Sequence, residues 1–139
     1  MKTAKHLTLA FIVALFGLLT TVDPATAERG EGRWISLGEL HVKDRVDRDT
    51  LKVGAKEGTF DSIRLRVKGR AVQFHSVKIH FENGTVQDVS LRSVIRAGRF
   101  SRVIDLEGGQ RAIKKIVFVY DAQTPRRGKG ARIHVFGNR

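Results

Sequence analysis

Ile63-Arg64-Leu65-Arg66-Val67-Lys68 alternates without a break, so that an extended chain carries the aliphatics on one side and three cations on the other. A helix would scatter both sets around its circumference, and the stretch therefore reads as a strand with one buried and one solvated face. Similar short apolar-alternating runs, separated by glycine, aspartate and asparagine, extend in both directions. They predict strands near Trp34–Val42, Thr50–Val53, Phe60–Lys68, Ala71–Phe81, Val86–Ile95, Ser101–Leu106, Ile113–Tyr120 and Ala131–Phe136. Glu82-Asn83-Gly84-Thr85 is a hairpin signal, because Asn-Gly readily takes the positive φ angles of a tight turn, and Gly69-Arg70 is a second turn. Apolar parity flips between Val72/Phe74 and Val77/Ile79/Phe81, which requires a bulge or a bend near His75-Ser76.

Nowhere does an apolar stripe recur at helical spacing. About eight short strands predict an all-β fold, a two-sheet antiparallel β-sandwich of jelly-roll or immunoglobulin-like type. Trp34, Phe60, Phe74, Phe81, Phe118, Tyr120 and Phe136 are expected to fill its core.

The chain has 139 residues, and its start has the three-part layout of an export signal. Lys2 and Lys5 precede an apolar run from Leu7 to Leu19, which Asp23-Pro24 ends before Ala25-Thr26-Ala27. Cleavage is expected after Ala27, leaving residues 28–139 as one small domain. Read as an anchor, the apolar stretch Leu7 to Val22 falls short of the roughly 20 residues a spanning helix needs. Periplasmic or secreted location is the expectation, with no transmembrane segment in the mature chain.

Lys and Arg number 26 against 14 Asp and Glu, a net charge of +12. Cysteine is absent and the single methionine is the initiator, which excludes disulfides, thiol nucleophiles, iron–sulfur clusters and cysteine-ligated zinc from the mature part.

Further residues carry a resemblance. They are Trp34 with Leu37-Gly38, Asp47-x-Asp49 followed by Lys52-Val53-Gly54, and the Phe81-x-Asn83-Gly84 turn. Ile104-Asp105-Leu106, Arg111-x-Ile113, Phe118-x-Tyr120 and Ala131-Arg132-x-x-Val135-x-Gly137 complete the set. In these motifs the chain resembles a group of small exported bacterial proteins of unknown function, over nearly the whole mature part. The resemblance implies an all-β fold and export, and it brings no catalytic residue.

No serine lies in a Gly-x-Ser-x-Gly elbow, and none has an obvious histidine partner in the sequence. His75 and His80 lie five apart, on opposite faces of a regular strand, whereas zinc needs three or four ligands at one point. Asp44, Asp47 and Asp49 are the best candidates for a hard cation such as calcium, but interleaved Lys43, Arg45 and Arg48 make local ion pairing the simpler account. No cofactor is expected.

The basic surface stands above background. Arg64, Arg66 and Lys68 share one strand face, which Lys78 and His80 extend if their strand is the neighbour. Arg92, Arg96, Arg99 and Arg102 surround a turn, and Arg126, Arg127 and Lys129 stud the breaker-rich loop 122–130. So many like charges weaken the compact state unless an anion lies close. The leading expectation is a non-enzymatic envelope protein that binds an anionic lipid, a cell-wall polymer or an acidic protein, export arguing against genomic nucleic acid. One alternative is a protein-interaction or assembly module of the envelope. Another is a carbohydrate-binding or hydrolytic β-sandwich.

Overall fold

In the computed structural model of the chain, residues 32–42, 46–122 and 130–139 are described. The expected leader 1–27, Asp44 with Lys43 and Arg45, and Arg126, Arg127 and Lys129 lie outside them.

Residues from Gly32 onward form one compact unit of strands: β1 (Trp34–Val42), β2 (Asp47–Lys52), β3 (Thr59–Phe60), β4 (Ser62–Lys68), β5 (Val72–Phe81), β6 (Val86–Val89), β7 (Val94–Ile95), β8 (Ile104–Asp105), β9 (Arg111–Ala122) and β10 (Ala131–Asn138). They form two antiparallel sheets. Sheet A has the order β1-β10-β4-β8, and sheet B has the order β2-β9-β5-β6 with β3 on β9 and β7 on β5. The expected two-sheet sandwich is what the chain builds.

Ile63, Leu65 and Val67 of β4 are fully buried and meet Ile133 and Val135 of β10, then Phe74, Val77 and Ile79 of β5 with Ile116 and Phe118 of β9. Phe74 and Phe118 pack edge to face, with ring centroids 6.3 Å apart. No helix among the described residues is long and apolar enough to cross a membrane.

Two predicted strands divide. The run Phe60–Lys68 breaks at Asp61, where the chain passes from sheet B to sheet A and the Asp61 N–H donates to the Asn138 carbonyl at 2.8 Å. The run Val86–Ile95 breaks into β6 and β7. Beyond β7 the chain crosses to the free edge of β4: the Val67 N–H donates to the Arg99 carbonyl (3.1 Å) and the Ser101 N–H to the Leu65 carbonyl (2.8 Å).

The parity change in β5 is a bulge, with the register against β9 shifting between Phe74 and Ser76. The Asn83-Gly84 turn forms as expected, Gly84 having φ +88°. Arg111 fastens it: Nη2 reaches Asn83 Oδ1 (3.1 Å) and Thr85 Oγ1 (2.7 Å), Nη1 reaches the Glu107 carbonyl (2.6 Å), and the guanidinium lies 3.9 Å from the Phe81 ring centroid.

At Gly69 the chain turns out of sheet A into sheet B, with φ +85° and no room for a side chain, since a Cβ would meet the Gly130 carbonyl at 2.7 Å. The expected continuation of the Arg64 face onto Lys78 is thereby corrected. β4 pairs with β10 and β8, while β5 belongs to the other sheet.

Candidate functional site

The alternation that buries Ile63, Leu65 and Val67 turns Arg64, Arg66 and Lys68 onto the outer face of sheet A. β10 sets Phe136, His134 and Arg132 directly opposite them. β1 then adds Ser36, Glu39 and His41 opposite those three. Phe100, bridged to Arg66, closes the other side and is 44% exposed.

Aromatic rings hold the arginines. The Arg64 guanidinium carbon lies 4.2 Å from the Trp34 ring centroid, 4.4 Å from that of Phe100 and 5.8 Å from that of Phe136, and Arg66 lies 5.2 Å from Phe100. Trp34 and Phe136 were expected in the core and are half-buried on this outer face instead. Phe136 has the parity of Arg132 and His134, and it is Ala131, Ile133 and Val135 that turn inward. Aromatic bulk suggested core; strand parity was the better signal. Phe100 gave no such signal, because an irregular segment places it.

Glu39 sits amid three basic groups: Arg132 at 3.7 Å, His41 at 3.8 Å and His134 at 3.9 Å. Ser36 Oγ shares a 2.7 Å hydrogen bond with His134 Nε2, a partnership of residues far apart in sequence that strand order alone creates. The Glu39 carboxylate lies beyond hydrogen-bonding reach of His134 Nδ1 and is shared with Arg132 and His41. The group is accordingly a network on a sheet face, and it lacks the tight carboxylate–imidazole contact that orients a catalytic base.

No described carboxylate pairs with Arg64 or Arg66. Among the described residues the buried side-chain polar atoms without a partner are Arg64 Nε, Arg66 Nε, His134 Nδ1 and Asn138 Oδ1. All four belong to the outward-facing residues of β4 and β10, and the two Nε atoms are obligate donors.

The remaining candidates disperse. Lys78 is on the outer face of sheet B, 3.8 Å from Asp88, and with His75, Ser76, Ser90 and Arg92 lines a cleft of about 330 Å³. Arg102 donates to the Ser90 carbonyl at 3.2 Å, while Arg96 and Arg99 are exposed on the crossing segment. The predicted arginine group is therefore spread along a connection between the sheets.

Asp49 accepts a hydrogen bond from the Tyr120 hydroxyl, and Asp47 Oδ1 accepts one from the Arg48 N–H at 2.7 Å. Burial first, and Asp49 second, push the Tyr120 phenol well above its ordinary range. No group of three or more metal-ligating side chains occurs among the described residues. Of the histidines, His41 and His134 share Glu39 while His80 lies on the opposite sheet, where burial and nearby Lys115, Lys78, Arg48 and Lys114 hold it below its ordinary pKa.

Residues 9–137 match the family described as "Domain of unknown function (DUF2541)". No curated protein and no solved structure matches the chain.

Proposed function

We propose, for a chain that belongs to the DUF2541 family, that it is a non-enzymatic exported protein of the cell envelope which attaches to an anionic surface through the outer face of sheet A. The observation that carries this reading is that Arg64, Arg66 and Lys68 share one outward face and no described carboxylate pairs with them.

Three physical points support it. Stacking on Trp34 and Phe100 restricts the Arg64 guanidinium before any ligand arrives, which lowers the ordering cost of binding. The guanidinium then presents a fork that matches phosphate or carboxylate oxygens at two points. Half-buried aromatics among arginines also suit the boundary between lipid headgroups and acyl chains, where amphipathic rings collect. Lys68 and Arg132, directly opposite one another, extend the positive field along the face.

The test uses residues 28–139, which contain the whole compact unit, with zwitterionic and anionic phospholipid vesicles at about 50 and 300 mM salt, a range over which exposed charges become strongly screened. Capture by the anionic vesicles alone, falling steeply with salt, is expected. Capture that ignores salt, or that is equal for both vesicle types, overturns the reading.

A further inference from the structure

Sheet register produces the same pattern on both sides of the domain. In sheet A, Lys68, Arg132 and His41 stand directly opposite one another across β4, β10 and β1. In sheet B, Lys52, Lys115 and His80 do the same across β2, β9 and β5. The like charges set directly opposite each other, Lys68 and Arg132 in sheet A and Lys52 and Lys115 in sheet B, repel, and a sheet so arranged gains from a nearby anion. No described carboxylate pairs with Lys52 or Lys115.

The inner faces of the two sheets share one hydrophobic core, so these rows point in opposite directions. A single flat surface can engage only one of them. With sheet A engaged, Lys52 and Lys115 remain turned outward without a described carboxylate beside them.

We infer that the domain bridges two anionic lipid surfaces, the aromatic and arginine-bearing face of sheet A seating on one and the lysine row of sheet B on the other. The inference rests on the proposed attachment through sheet A and adds a second, independent contact. The faces differ in kind. Sheet A offers stacked guanidiniums among rings, whereas sheet B offers ammonium groups beside Thr50, Val117 and Val119, with no Phe, Trp or Tyr at the outward positions of β2, β9 and β5. Lysines act as hydrated point charges, so the second contact is the weaker and more salt-sensitive of the two.

The experiment mixes residues 28–139 with anionic phospholipid vesicles and follows turbidity alongside sedimentation of bound protein. Light scattering of the protein alone monitors self-association. Bridging is expected as turbidity that rises with protein, peaks and falls again once every vesicle is coated. The double variant Lys52→Ala/Lys115→Ala is expected to need roughly thirtyfold more protein for the same turbidity, at about fivefold per cation near an anionic surface, while its sedimentation changes less than about threefold.

Wild-type protein that sediments with vesicles without clustering them overturns the bridging inference and leaves the sheet A reading intact. Clustering that the double variant retains, or that tracks self-association of the free protein, overturns it as well. Failure to sediment at all overturns the sheet A reading itself.

Discussion

Arg64→Ala separates a residue kept for stability from one kept for contact with a ligand. Stacking of the guanidinium on Trp34 and Phe100, at 4.2 and 4.4 Å, is worth about 1–2 kcal/mol in total at a half-exposed site. Against this stands Nε, buried without a partner, a condition that costs about 1–3 kcal/mol. Repulsion from neighbouring Arg66 adds to the cost. The opposing effects are of similar size, so the substitution should change unfolding free energy by less than about 1 kcal/mol, despite removing a half-buried side chain. Affinity for anionic vesicles should behave differently, falling about fivefold for this one cation. Arg66→Ala is expected to match it, and the double variant to lose roughly twenty-five- to thirtyfold. Urea unfolding followed by circular dichroism gives the first quantity and vesicle sedimentation at low salt gives the second. A loss of more than about 3 kcal/mol with unchanged vesicle affinity would show that the stacked arginines serve the fold, and the reasoning would be wrong.

Other outcomes follow from single contacts. Tyr120, the chain's one tyrosine, keeps its proton in the folded state above its ordinary pKa of 10.0. The unfolded chain releases that proton first, so the stabilisation is complete below pH 10 and is lost progressively as pH rises above it. Tyr120→Phe should lack that part of the alkaline decline, and tyrosinate absorption in the wild type should appear only with unfolding; a reversible titration near pH 10 in the folded protein refutes the assignment. His80 has the opposite sign. Its pKa lies below 6.5 in the folded state, so stability is full above that value and declines as pH falls through it, a decline that His80→Gln should flatten in urea midpoints measured from pH 5 to 8. Arg111→Ala removes three hydrogen bonds and the stack on Phe81 and is expected to cost about 2 kcal/mol, lowering Tm by roughly 10 °C, with Arg111→Lys failing to restore it. Full rescue by lysine would mean that charge alone matters there.

Alternation made much of this fold legible, because period-two patterning depends on neighbours along the chain. Ile63 to Lys68 declared both its buried and its solvated face, and the parity change in β5 announced the bulge at His75. The Asn83-Gly84 turn was equally local. Which strands lie side by side is a long-range matter that the same pattern leaves open. Lys78 therefore went to the wrong sheet, and the pairing of Ser36 with His134 was invisible. Large aromatics misled in a physical sense too: hydrophobic area can be covered by a guanidinium as well as by other hydrocarbon, and Trp34 and Phe136 are covered that way. A continuous apolar-rich run hid the crossing at Asp61, since a chain changing sheets keeps its core-facing residues.

The strand order of sheet A has a consequence for the order of events in the chain's life. β10 ends at Asn138 and lies between β1 and β4, so the first strand of the sheet has no partner until the last has been made. A ribosome releasing this polypeptide from its N-terminus leaves β1 without its hydrogen-bonding edge until β10 has emerged, and β4 has only the short β8 and the crossing segment at Arg99–Ser101 to pair with. Closure of the sandwich therefore waits for β10 and is set by the slow search for pairings between distant segments. Until then the polypeptide stays open, with the core-facing side chains of β1 and β4 uncovered and its backbone exposed to any protease it meets.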